Sequence, residues 1–374
     1  MNRPFRHTAM IFLSGLFLTG CAYDDTVRSL REQTDGEGLA ITFDNGLIDK
    51  PVISRATTLL SDHSSTMGVW GWQESQEGGI ERLFRNQEVT FNPSIRKWTY
   101  TPVKYWESHS TYRFYAYAPH SSHGQGAKIA IDSATYAISI KDIRLKGSNT
   151  ITAGVPEAPG NFSQVEDIDW MIDRSCQNVA GNVHNEVTFN MQHILAKLSI
   201  RISNTTTLTN AGVAINLDSI LIDSLICQGD FTQCFSGAEN TASEWTLVDA
   251  ARYNLSSLHN VAVSGTMLYV MESLLIPQQV DSTRYIHIWY NIGKQGGYNT
   301  PFNIHLRLDR IFQLFESAKS YVLTIAIGPD MIQFDSGVTE WDNTEAQSST
   351  SQTIQITSQG QGNDNEDNGG DENG

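Results

Sequence analysis

The feature that most limits the fold is a recurring one. Apolar and polar residues alternate in short runs, and no stretch keeps a 3.6-residue period for long. The clearest case is Leu198, Ile200 and Ile202, with Ser199 and Arg201 between them. A strand sends successive side chains to opposite faces, so such a run buries one face and solvates the other. Runs of this kind recur at 67–72, 112–117, 217–226, 285–292, 302–308 and 321–327. Clusters of Asn, Asp, Gly and Pro separate them, and Asn92-Pro93-Ser94 reads as the turn of a hairpin joining 89–92 to 98–101. The stretch 309–319 fits a short helix or a loop equally well. These patterns predict an all-β fold built of β-sandwiches.

The first twenty residues stand outside that pattern. Arg3 and Arg6 precede an apolar run at 9–18, which is too short to span a bilayer and reads as the core of a signal peptide. Leu18-Thr19-Gly20-Cys21 resembles the lipobox of bacterial lipoproteins. That resemblance implies acylation of Cys21, which becomes the new N-terminus, and anchorage in the outer membrane by two or more acyl chains. Ordinary secretory cleavage near Ala22 is the alternative. Tyr23-Asp24-Asp25 resembles a short acidic surface-export signal. Residues 22–37 are polar and without apolar period, and 360–374 contain only Gly, Gln, Asn, Asp and Glu. Neither segment can bury apolar surface, so a flexible tether and a disordered tail are expected.

Composition excludes some functions. With 41 acidic against 25 basic residues the net charge is -16, and no basic stripe is present to neutralise phosphates, so no nucleic-acid partner is expected. The chain has no nucleophile elbow, P-loop or zinc motif, and no catalytic, cofactor or metal residues are assigned. His120 and His123 lie in a Ser- and Gly-rich loop, and Glu166, Asp167 and Asp169 read as a solvated acidic edge. Once Cys21 carries lipid, Cys176, Cys227 and Cys234 remain, which allows one intrachain bridge at most. Cys227 and Cys234, flanking what reads as a short turn, are the expected pair.

Five blocks stand out in order along the chain. They are Lys97-Trp98-Thr99-Tyr100-Thr101-Pro102 leading to Tyr105-Trp106, then Phe114-Tyr115-Ala116-Tyr117-Ala118-Pro119. Val187-Thr188-Phe189 follows, running into His193-Ile194-Leu195-Ala196-Lys197-Leu198, and then Leu275-Ile276-Pro277-Gln278. Lys319-Ser320-Tyr321 through Trp341 is the last. Together these blocks resemble the fimbrillin family, the subunits of type V pili in Bacteroidetes, and the resemblance implies two transthyretin-like β-sandwich domains in tandem. The division expected is a signal peptide at 1–20, a tether at 21–38, sandwiches at 39–185 and 186–343, and a C-terminal extension at 344–374. The aromatic residues of these blocks are expected in the core rather than on a ligand platform, and His193 as a satisfied interior histidine. Asp132-Ser133-Ala134 and Asp281-Ser282-Thr283 also resemble Bacteroidetes O-glycosylation sequons.

The family likeness further implies how such a chain works. A surface lipoprotein is cut after a basic residue, loses its first strand, and accepts a strand from another subunit in the groove left behind. Arg55-Ala56 is the matching cleavage site, and Leu39, Ile41 and Phe43 are the alternate anchors of the strand removed. Cutting at Arg28 or Arg31 instead would free the lipid and leave the groove filled. Ile354 and Ile356 mark a candidate donor strand in the C-terminal extension. Other pilus subunits, and the outer membrane through the lipid, are the implied partners, with adhesion the implied role. The rival reading is a monomeric surface lipoprotein that binds host glycan or protein.

Overall fold

The computed structural model describes residues 39–44, 66–123, 126–146, 150–151, 162–163, 167–173, 177–182, 186–205, 212–236, 240–294, 299–328, 331–341 and 348–355. Cys21, Arg55, Ala56, Cys176 and Ile356 lie outside them, as do the expected tether and acidic tail. The fold is all-β. Among the described residues the only helical elements are short 3-10 turns at Ser121–His123 and Leu308–Arg310. The ambiguous stretch 309–319 thus resolves into the end of such a turn, the short strand Leu314–Phe315 and the start of the strand Lys319–Ile327.

Two sandwiches account for the four larger sheets, and three two-stranded sheets accompany them among the described residues. In the first, a seven-stranded sheet runs in the order Met191–His193, Met171–Asp173, Thr111–Ala118, Thr66–Glu74, Ile80–Asn92, Lys97–Thr99, and Gln177–Ala180 also pairs with Thr111–Ala118. The hairpin expected at Asn92-Pro93-Ser94 is present, with Asn92 opposite Lys97 and the Asn92 side chain accepting from the Ser94 amide at 3.0 Å. Gly68 and Gly71 let rings from the neighbouring strand lie across the backbone. A Cβ at Gly68 would sit 2.2 Å from the Tyr117 ring, and one at Gly71 2.7 Å from the Phe84 ring. Such bare positions in a strand mark close approach rather than flexibility.

The sheet facing this one has the order Asn240–Leu247, Gln228–Ser236, Ile138–Arg144, Lys128–Ile131. Half of it comes from the far side of the expected division at 186. The hairpin Gln228–Ser236/Asn240–Leu247 crosses over, setting Phe231 opposite Ile140 and Gln228 opposite Arg144. Val187–Thr188 and Met191–His193 likewise pair with strands of the first sandwich. The first sandwich is thus completed by a loan of strands from beyond residue 186. Between its two sheets lie Trp70, Trp72, Tyr115, Tyr117, Ile140 and Phe231, all buried.

The second sandwich has a five-stranded sheet in the order Leu268–Leu275, Ala196–Asn204, Lys319–Ile327, Met331–Glu340, Ser348–Gln355. It packs on a four-stranded sheet in the order Arg252–Val263, Val213–Ile226, Tyr285–Lys294, Asn299–Arg307. Its core is mostly aliphatic, with Ile200, Ile202, Leu217, Ile220, Ile288 and Leu323 buried. Leu274, Ile276 and Trp341 of this half pack into the aromatic core of the first sandwich. Polar groups reinforce the junction. The His193 ring, 2% exposed, bonds the Asp169 carboxylate at 3.0 Å and stacks on Trp341 at 4.1 Å between centroids. The Lys197 ammonium lies 5.1 Å from that indole.

The expected bridge is absent. Cys227 and Cys234 are both free thiols, the first buried and the second exposed. What reads as a turn between them is the extended strand Gln228–Ser236. At about 3.3 Å of rise per residue such a strand holds its ends far beyond the Cα separation of about 7 Å that a disulfide tolerates. Cys227 instead donates to the Ala251 carbonyl at 3.3 Å, and its burial pushes the thiol pKa up.

Candidate functional site

The residues assigned to the first strand, Leu39, Ile41 and Phe43, lie in segment 39–44, an N-terminal plug across the outer face of the seven-stranded sheet. Alternation decides which side chains go inward. Ile41 and Phe43 are each 1% exposed, whereas Thr42 between them faces solvent and Leu39, 41% exposed, remains at the rim. Two anchors are thus buried where three were expected.

The plug is held along both of its backbone edges. On one side the Ile41 amide donates to the Lys104 carbonyl and the Trp106 amide to the Leu39 carbonyl, both at 2.8 Å. On the other side the Val187 amide donates to the Thr42 carbonyl at 2.9 Å and the Phe189 amide to the Asp44 carbonyl at 2.8 Å. The run is antiparallel to the 104–106 segment and parallel to Val187–Thr188. It therefore fills a slot with hydrogen-bonding walls on each side, which is the geometry of an inserted strand.

The floor of the slot is aromatic. The Phe43 ring meets Phe84, Tyr100, Phe114 and Phe189 at centroid distances of 5.2, 5.4, 5.6 and 5.7 Å. The Tyr100 hydroxyl donates to the Ile41 carbonyl at 2.8 Å. Burial pushes its pKa up to about 12, against a smaller lowering by its hydrogen bond with the Lys104 backbone, so it stays a donor throughout the physiological range. Trp98 and Trp106 lie in the same core, and their buried indole N–H groups find no acceptor among the described residues. Burying Ile41 and Phe43 is worth roughly 1.5–3 kcal/mol each. Without the plug the Trp106, Val187 and Phe189 amides would each lose an acceptor, at about 1–3 kcal/mol for every group left buried and unpaired.

At the other end, Ser348–Gln355 pairs antiparallel with Met331–Glu340, setting Ile354 opposite Ile332. Among the described residues it is the outermost strand of its sheet. The candidate donor is thus an edge strand, paired on one side. Plug and edge strand belong to different sandwiches, and nothing brings Leu39, Ile41 or Phe43 next to Ile354 within one chain.

Other residues considered in the sequence have structural roles. Trp98, Trp106, Phe114, Tyr115 and Tyr117 are buried, as expected of core aromatics. Asp167 accepts from the Lys146 amide and Asp169 bonds His193, so these two acids are buried rather than solvated, and Glu166 lies outside the described residues. His120 Nδ1 meets the Ser122 hydroxyl at 2.8 Å, and its ring lies beside Tyr117. In both sequon-like triplets the aspartate closes a surface turn, Asp132 accepting from the Ala134 amide and Asp281 from the Thr283 amide, with Ser133 and Ser282 exposed. The aromatic walls Phe84 and Phe189 as partners of Phe43 were not legible in advance. The only local signal for Phe189 is its place two residues after Val187 in the same block.

A family model described as fimbrillin-like matches residues 54–341. Among solved structures, a fimbrial protein from Bacteroides vulgatus is 16% identical, covering 81% of this chain and 99% of its own with a TM-score of 0.51. The C-terminally truncated tip fimbrial protein Mfa3 from Porphyromonas gingivalis is 11% identical, covering 81% of this chain and 98% of its own with a TM-score of 0.33. No curated protein matches the chain.

Proposed function

Because the chain belongs to the fimbrillin-like family, we propose that it is a structural subunit of a cell-surface pilus. It is exported as a lipoprotein acylated at Cys21, trimmed between Arg55 and Ala56, and assembled by strand exchange in support of adhesion. The role is non-enzymatic, and the principal partners are other pilus subunits.

The observation that carries this reading is the double-sided bonding of segment 39–44 over an aromatic floor. Arg55 lies between this plug and the strand Thr66–Glu74 in sequence. A cut there leaves the plug attached to the sandwich by non-covalent contacts alone. The slot it leaves asks for an extended backbone with apolar residues two apart, and a neighbouring subunit can supply one by β-augmentation. Ile354 and Ile356 have that spacing, which makes the C-terminal edge strand the donor we assign. Releasing an outermost strand breaks one ladder rather than two.

The test compares the wild-type chain with Arg55→Ala after exposure to a protease of trypsin-like specificity. Wild-type protein should begin at Ala56 by mass spectrometry and run as an SDS-resistant ladder, whereas the variant should keep its plug and remain a single band. A trimmed wild type that stays monomeric, or a ladder from the variant, would overturn the reading. Removing everything after Asn343 should stop ladder growth while the monomer still folds, and an unchanged ladder would exclude the C-terminal strand as donor.

A further inference from the structure

The opposite face of the seven-stranded sheet carries a second feature that strand exchange does not use. At the edge of the covering sheet, two rungs of side chains continue this face, with Trp72 buried and Glu74, Ile80, Thr111, Asn178 and Ala180 exposed. One rung runs Arg82, Trp72, Arg113, Asn178 across four paired strands, and the next runs Ile80, Glu74, Thr111, Ala180. All of these residues except Arg82, which lies behind Trp72, border an open groove of about 290 Å³, walled on one side by Tyr136. That volume is at the low end for a small-molecule site.

Both arginines lie on rings. The Arg82 guanidinium is 5.1 Å from the Trp72 ring centre, and the Arg113 guanidinium is 4.9 Å from that of Tyr136. The Arg113 Nε donates to the Asn178 side chain at 3.2 Å, which fixes the plane of the fork. Tyr136 is built for its position. It adopts φ 58°, a left-handed conformation that costs a residue with a side chain energy, and its amide is held by the Asp132 carbonyl at 2.7 Å. Its ring then stacks on Tyr115 at 5.4 Å and meets Trp72 edge-on at 4.9 Å.

Acidic residues outnumber basic ones 41 to 25, and Arg252, Arg284 and Arg307 all have carboxylate partners. Among the described residues neither Arg82 nor Arg113 has one, and the Arg82 Nε is buried without any acceptor. Two cations preorganised on aromatic planes and left unpaired are suited to a carboxylate from outside, because a guanidinium fork takes one in two parallel bonds.

We propose that this groove binds the terminal acidic sugar of a glycan. Arg113 takes the sugar carboxylate, Arg82 reinforces the charge from across Trp72, and Glu74, Thr111 and Asn178 meet the hydroxyls. Ile80, 62% exposed, offers an apolar shoulder to a ring face. The four strands beneath the groove are paired with one another across both rungs, so its floor is a closed sheet face. The lining of the groove is made of side chains that include both donors and acceptors, Glu74, Thr111 and Asn178 among them, which suits the hydroxyls of a sugar. The plug lies over the other face of the same sheet, so the groove remains accessible whether or not a strand has been exchanged.

The experiment titrates the purified full chain with uronic-acid-terminated and sialic-acid-terminated oligosaccharides. Their carboxyl-reduced counterparts and an acidic tetrapeptide serve as comparisons. Binding is read by saturation-transfer NMR, with circular dichroism reporting the fold. At least one acidic glycan should bind at millimolar concentration or below. Carboxyl reduction and Arg113→Gln should each weaken it about tenfold or more, since each removes a charge-assisted pair. Asn178→Ala, at an exposed position, should weaken it severalfold, and it decides the matter if Arg113→Gln does not fold. No binding by either acidic glycan, or binding unchanged in the folded variants, would overturn the assignment. A tetrapeptide that binds as tightly and is lost in the same variants would overturn the sugar as ligand.

Discussion

Each end of the described chain contributes one strand to a sandwich, and the two contributions differ in almost every respect. The N-terminal plug is bonded along both edges and drives two large apolar side chains into an aromatic floor. The C-terminal strand is bonded along one edge and carries Ser, Thr and Gln at most positions. One is inserted and the other is appended. An inserted strand is costly to lose and worth replacing, whereas an appended one can leave without opening a core. This asymmetry is what the proposed strand exchange requires of a chain that accepts firmly and donates readily.

The largest expected effect tests the first half of that contrast. Phe43→Ala in the untrimmed chain should lower the free energy of unfolding by about 3–5 kcal/mol, the usual result of emptying a buried aromatic site. Deleting 348–355 should cost well under half as much by the same urea titration. Equal losses would erase the distinction between inserted and appended strands. Next in size is complementation in trans. A chain beginning at Ala56 should bind a synthetic peptide of residues 38–46. The same peptide carrying Phe43→Ser should bind about a hundredfold more weakly, which corresponds to roughly 2.7 kcal/mol. A peptide of 348–358 that competes for the slot would sharpen the assignment of the donor.

A smaller effect concerns Tyr100. Replacing it with Phe removes one hydrogen bond to the plug and should cost about 1 kcal/mol. The pH dependence has a definite sign. The folded pKa is raised from 10.0 to about 12, so the folded state holds the proton more tightly and stability falls as pH climbs through that window. Tyr100→Phe should lose that part of the fall, read as the difference between wild type and variant in urea midpoints from pH 9 to 12. The mildest prediction concerns the thiols. Cys234 should react with an alkylating reagent in the native protein and Cys227 only after unfolding, as peptide mass spectrometry can resolve.

Much of the fold can be read locally. Alternation marks Ala196–Asn204, Thr111–Ala118 and Lys319–Ile327, because each buries one or both faces in a dry core. The crossing hairpin is not legible. Gln228–Ser236 mixes Gly, Asp, Thr and Gln with two Phe residues and a Cys, and its partner Ile138–Arg144 lies far upstream. Periodicity reports that a residue faces a core, not whose core it faces. The expected disulfide failed for the same reason, since a strand without strong alternation reads as a turn. The plug was visible through Ile41 and Phe43, but its depth was not. That depth depends on Phe84, Phe114 and Phe189, which chain topology brings together from three separate blocks.

The borrowed hairpin has a consequence for the order of events during synthesis. A polypeptide made amino end first contains Ile138–Arg144 long before Gln228–Ser236 exists to flank it. The earlier half must wait, half-clothed, until nearly two-thirds of the molecule has been made. Closure of the first sandwich is therefore gated by the arrival of the lending half.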